Sequence, residues 1–76
     1  MKKGNLKYEE MKNFILNNIE YTYGVSNLLE SFIFGMKQTN LYEDIFETPD
    51  KDKFKITIKP KKTEYTTDYF FDIEKV

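Results

Sequence analysis

The sequence predicts an α+β domain in the order α-α-α-β-β: two N-terminal helices, a short third helix and a C-terminal antiparallel β-hairpin. Three observations lead there. Apolar residues recur at helical spacing from Leu6 to Met36. Asn40 and Pro49 then interrupt that pattern. From Lys53 onward the chain alternates apolar and polar residues, the period of a strand with one buried face.

The first helix is expected over Leu6 to Tyr21. Tyr8, Met11, Ile15 and Ile19 form its stripe, and Phe14 and Leu16 widen it. Asn5 has the chemistry of an N-cap, Glu9 and Glu10 complement the helix dipole, and Gly24 supplies a left-handed stop. The second helix starts at Ser26 or Asn27, where Asn27 and Glu30 have capping-box spacing. Its core face is Val25, Leu28, Leu29, Phe32, Ile33 and Met36. Phe34 lies off that face, and Gly35 weakens the helix by about 1 kcal/mol relative to alanine. Asn40 and Glu43 repeat N-cap spacing, so Leu41 to Glu47 reads as a short third helix, ended by Thr48-Pro49-Asp50.

In the hairpin, Phe54, Ile56 and Ile58 alternate with Lys53, Lys55, Thr57 and Lys59. Tyr65, Thr67, Tyr69, Phe71 and Ile73 form the matching face of the second strand, and Pro60 to Thr63 is the expected loop. Pairing Ile58 with Tyr65 sets Lys55 against Asp68 and Lys59 against Glu64. A two-residue slip sets Lys53 against Asp72 instead, so the register stays open.

Seventy-six residues make one domain, 1–76, with a marginal core: a chain of this size buries only about 60% of its unfolded surface. There is no cysteine to staple it. Six tyrosines and seven phenylalanines can build a dense core, with a surplus for an interface. A two-stranded ribbon is barely stable alone and has two open edges, so a homodimer joining two ribbons is expected.

No apolar run reaches the roughly 18 residues that span a membrane, and the basic start lacks the apolar core of a signal peptide. The expected compartment is the cytoplasm. All twelve basic residues are lysine, and Lys, Asn, Ile, Phe and Tyr are abundant, a sign of AT-rich coding in a low-GC bacterium or its phage. The net charge of −1 conceals blocks: +2 over Met1 to Lys12, −5 over Glu20 to Asp50, +5 over Lys51 to Lys62 and −3 over Thr63 to Val76.

Catalysis is not expected. Without Cys or His there is no Cys–His or Ser–His pair, and the three glycines are isolated, so no phosphate-binding loop exists. Glu43, Asp44 and Glu47 read as a solvated acidic face rather than a metal site, and no cofactor or metal is called for. Lys53, Lys55, Lys59, Lys61 and Lys62, in the hairpin from Lys51 to Lys62, are the candidate nucleic-acid contacts. Against that role, Asp68, Asp72 and Glu74 share the same polar face, and lysine on an edge strand is an ordinary guard against aggregation.

Gln38-Thr39-Asn40-Leu41-Tyr42 has the form Gln-x-x-Leu-aromatic. It resembles the peptide by which bacterial polymerases dock on the DNA sliding clamp, usually Gln-Leu-(Ser or Asp)-Leu-Phe. Thr39 stands where the family has leucine, and Tyr42 where it has phenylalanine. In size, composition and this motif the chain resembles small phage-encoded host-takeover proteins, some of which inhibit the clamp. The resemblance implies a non-catalytic inhibitor of host DNA replication, with Gln38 as polar anchor and Leu41 and Tyr42 as pocket fillers. The acidic segment Glu43, Asp44, Glu47 and Asp50 offers a second route, toward the clamp's basic channel. Anti-CRISPR or anti-restriction activity is the alternative within this class, and a nucleic-acid-binding hairpin is the alternative outside it. The structural alternative for the motif is that Leu41, Ile45 and Phe46 close the core, with Tyr42 at its border.

Overall fold

A computed structural model describes residues 2–19 and 23–76. The order is β1 (Lys2–Leu6), α1 (Tyr8–Asn17), α2 (Val25–Gln38), β2 (Glu43–Glu47), β3 (Lys53–Lys62) and β4 (Thr67–Lys75). The four strands form one antiparallel sheet in the order β1-β4-β3-β2, with both helices on one face. The α-α-α-β-β order is therefore corrected at two places. The N-terminus is a strand, and the third helix is a strand.

β1 has no alternating pattern of its own. It exists because β4 pairs with it, Lys2 opposite Glu74 and Leu6 opposite Phe71, across an irregularity between Lys3 and Leu6. Asn5 is not the helix cap: it lies in that irregularity at φ 56°. Lys7 takes the N-cap position, and its N–H donates to the Glu10 carboxylate at 3.1 Å. At the other end of α1 the Asn18 side chain donates to the Phe14 carbonyl at 2.7 Å. Tyr21, the expected end of this helix, lies outside the described residues. Gly24 does adopt a left-handed conformation, φ 73°, but it opens α2, and its carbonyl receives the Leu28 N–H.

α2 ends in a Schellman motif. The Leu41 N–H donates to the Met36 carbonyl at 2.9 Å and the Asn40 N–H to Lys37 at 3.3 Å. Asn40 sits at φ 54°, a left-handed value that suits a helix's C-terminal exit and not an N-cap. The chain leaves this turn extended. The Ile58 N–H donates to the Tyr42 carbonyl at 2.7 Å, and Glu43–Glu47 then pairs with Lys53–Thr57. A helix of seven residues, Leu41 to Glu47, barely repays its nucleation, whereas pairing supplies bonds at every second residue. Thr48-Pro49-Asp50 becomes the reversal between β2 and β3, closed by Lys51 N–H to Thr48 carbonyl and by Lys51 at φ 69°.

The hairpin turn falls later than expected. Thr63 and Thr66 bond through both backbone and hydroxyls, leaving Glu64 and Tyr65 at the tip. Ile58 pairs with Phe71, not Tyr65; Lys55 faces Glu74 and Lys61 faces Asp68. Pro60 lies inside the strand, opposite Tyr69. It is tolerated because its nitrogen points the same way as the Ile58 N–H, beyond the end of β2, where the described ladder pairs no further residue.

Met11, Ile15, Val25, Leu29, Ile33 and Met36 from the helices bury Phe46, Phe54, Ile56, Ile58, Phe71 and Ile73 from the sheet. β1 and β2 cover the two edges of the β3–β4 ribbon, so one chain supplies the four-stranded sheet for which a homodimer was expected. The open edges are now those of β1 and β2. No helix among the described residues is long and apolar enough to cross a membrane.

Candidate functional site

The Schellman turn sets the geometry of the candidate docking residues. Gln38 is the last residue of α2, exposed to solvent, and Leu41 and Tyr42 follow the left-handed Asn40. Leu41 is 44% exposed, Tyr42 52% and Ile45 43%. Of the three residues that could have closed the core, only Phe46 does, at 4%. The corner and the start of β2 thus present three apolar side chains to solvent.

Pairing parity explains the split. Tyr42 bonds to Ile58, so Asp44 and Phe46 also turn their backbone groups toward β3, while Glu43, Ile45 and Glu47 turn theirs outward. One outward donor is already engaged: the Ile45 N–H donates to the Asp44 carboxylate at 2.8 Å. Glu43 pairs with Lys55 at 3.0 Å, and this contact pushes the Lys55 pKa up. Glu47 lies opposite Lys53, and Asp50 is exposed in the turn. Together they make an acidic rim along the free edge of β2. Among the described residues no group of three acids is placed to hold a metal ion.

The lysines are spread differently. Lys53 is exposed beside Glu47, and Lys55 is held by Glu43. Lys59 is held by Asp72 at 3.0 Å and by the Asn5 side chain at 2.6 Å. Lys61, opposite Asp68, and Lys62 are exposed at the end of β3, and Tyr65 in the hairpin turn is 87% exposed. The structure brings Leu41, Tyr42, Glu43, Asp44 and Glu47 to one edge and divides the lysines among several partners.

The alternative reading of the motif placed Leu41, Ile45 and Phe46 in the core; Ile45, like Leu41, is exposed instead. Its signal is the short alternation Glu43-Ile45-Glu47 against Asp44-Phe46, which reads outward and inward once the segment is a strand. Compared with known proteins, the chain matches no family model, no curated protein and no solved structure.

Proposed function

We propose that this chain is a non-catalytic inhibitor that works by protein–protein contact, docking through the corner Gln38–Leu41–Tyr42 and the adjoining edge of β2, with the bacterial sliding clamp as its target. The observation that carries this reading is the paired exposure of Leu41 and Tyr42 on a backbone already fixed at both ends. Their carbonyl and amide bonds to Ile58 and Met36 hold the corner in place. A preordered corner loses little conformational freedom on binding, and two adjacent apolar anchors can carry most of a small interface's energy. Gln38 supplies the polar contact at the rim; Ile45 lies on the other face of the strand from Tyr42 and takes no part in this contact.

The test uses purified clamp from a low-GC bacterium, immobilised for interferometry. Wild-type chain should bind and be displaced by a synthetic Gln-Leu-Ser-Leu-Phe peptide. The double variant Leu41→Ala, Tyr42→Ala should be folded by circular dichroism and fail to bind. Absence of wild-type binding to the clamp removes the clamp from this reading. Equal binding by the folded variant removes the corner.

A second reading, nucleic-acid binding, rests on the exposed Lys61 and Lys62 at the end of β3 and the exposed Tyr65 in the hairpin turn. The ion pairs at Lys55 and Lys59 weigh against it. Phosphate contacts lose affinity steeply with salt, so titrating single-stranded DNA at two salt concentrations separates the readings.

A further inference from the structure

Burial on the helix-facing side of the β3–β4 hairpin stops partway along it. Ile58 and Phe71 are buried. The next pair on the same face is Pro60, exposed, and Tyr69, half-buried; the pair after that, Lys62 and Thr67, is exposed. α2 ends over this step, where the Lys37 ammonium lies 4.2 Å from the centre of the Tyr69 ring. The step encloses a pocket of about 210 Å³. The two strand pairs make its floor, and Lys37, Asn40 and Tyr42, from the end of α2 and the corner after it, make its wall.

The charge of this pocket is one-sided. It is lined by two lysines and no acid, and among the described residues neither Lys37 nor Lys62 has a carboxylate partner. A ring beneath an ammonium attracts it without neutralising it, so Lys37 keeps its charge. The neighbouring acids are turned elsewhere. Asp68 lies opposite Lys61 on the other face of the sheet, and the Asp44 carboxylate receives the Ile45 N–H. The carbonyl end of a helix repels anions, but here it is closed by the chain itself: the Gly35, Met36 and Lys37 carbonyls receive the Thr39, Leu41 and Asn40 N–H groups.

We propose that this pocket binds a phosphate monoester carried on a small apolar body. Two unpaired cations match the charge of about −1.5 to −2 that such an ester carries near neutral pH; a single carboxylate would leave one of them unmet. The Asn40 amide and the hydroxyls of Tyr42, Thr67 and Tyr69 supply hydrogen-bond donors for the remaining oxygens. Pro60 and the half-exposed Tyr42 ring offer the apolar body a surface. The pocket shares Tyr42 with the docking corner and does not rest on the clamp reading.

The test is a titration of the ¹⁵N-labelled full chain at constant ionic strength, read from the amide shifts of Asn40, Lys62, Thr67 and Tyr69. The probes are phenyl phosphate, glycerol 3-phosphate, inorganic phosphate and benzoate. Phenyl phosphate should give saturable shifts at these amides. Inorganic phosphate, which leaves Tyr42 and Pro60 uncovered, and benzoate, which carries a single charge, should each bind about tenfold more weakly or worse. Glycerol 3-phosphate separates an aliphatic source from an aromatic one, and should fall between phenyl and inorganic phosphate. Lys37→Gln and Lys62→Gln, each checked for fold by circular dichroism, should each weaken phenyl phosphate about tenfold. Lys61→Gln, on the other face of the same strand, should not, and neither should Leu41→Ala, which removes a docking anchor outside the pocket. Absence of saturable shifts with phenyl phosphate overturns the proposal. So does equal binding of benzoate, which reduces the pocket to a general anion patch, or of inorganic phosphate, which removes the ester. Equal losses in Lys61→Gln and Lys62→Gln also overturn it, because the charge of the hairpin would then matter and the pocket would not.

Discussion

The Asp72 carboxylate accepts the backbone N–H of Asn5 at 2.9 Å, tying β4 to the irregular half of β1. The same oxygen holds Lys59 at 3.0 Å. The Asn5 N–H and then Lys59 lower the Asp72 pKa below the usual carboxylate value.

Replacing Asp72 with alanine should cost about 1 kcal/mol, less than a buried charged hydrogen bond because the group is partly exposed. Urea denaturation measures it. The pH dependence has a fixed sign. The folded pKa is depressed, so this stabilisation is present above the ordinary carboxylate range and lost as pH falls through the lowered value. Wild type should lose more stability than Asp72→Ala over that acid range.

Gly4 belongs to the same knot. A Cβ there would stand 2.8 Å from the Asp72 carboxylate oxygen. Gly4→Ala should therefore push that oxygen off its partners and cost about as much as losing Asp72, while Gly4→Ala in the Asp72→Ala background should be close to neutral. Additive losses in this double-mutant cycle would show that the glycine acts through something other than the carboxylate.

Two other glycines should respond in opposite senses. At Gly24, φ is 73°, and alanine should destabilise by about 1 kcal/mol. At Gly35, inside α2, nothing lies within 4 Å of an added Cβ, and alanine should stabilise by about 0.5–1 kcal/mol. Thermal melts of the two variants give the signs directly.

The Tyr8 hydroxyl is buried without a hydrogen-bond partner among the described residues, and burial pushes its pKa up. Its ring meets Phe71 edge-on at 5.9 Å. Tyr8→Phe keeps the ring and removes the unmet hydroxyl, so its denaturation midpoint should equal or exceed that of wild type.

Neighbouring residues of β2 should differ sharply. Phe46→Ala empties a core position and should cost about 3 kcal/mol or more. Ile45→Ala, on the exposed side, should stay within about 0.5 kcal/mol. A reading in which Ile45 and Phe46 both close the core would make the two losses comparable.

The helices and the β3–β4 hairpin were legible because each carries a periodic apolar face of its own. α2 buries Val25, Leu29, Ile33 and Met36 on the expected stripe, although Leu28 is 47% exposed. β1 carries no such signal: Lys-Lys-Gly-Asn-Leu becomes a strand only through a partner at the far end of the sequence. β2 misled because Leu41, Tyr42, Ile45 and Phe46 also fit helical spacing, and five residues are too few to separate the two periods. The register was hidden because lysine meets an acid in several alignments; the Thr63–Thr66 pair, with no periodic signature, fixes it. At the candidate site the motif named Gln38, Leu41 and Tyr42, but their exposure depends on the left-handed Asn40, which sequence reading gave to a helix start.

Lys2 stands opposite Glu74, so the strand made earliest waits for the strand made last. At about 5–20 residues per second of synthesis, β4 follows β1 by some seconds. Until then the sheet is open where β1 belongs, and α1 lacks the strand it packs against most. Contacts this distant in sequence place folding toward the slow, millisecond-to-second side for small domains. Lysines at positions 2, 3 and 7 give that waiting strand like charge, which disfavours its pairing with a copy of itself. The same residues serve the finished fold, where Lys7 caps α1 and lies over the Phe70 ring and Lys3 lies over the Phe14 ring.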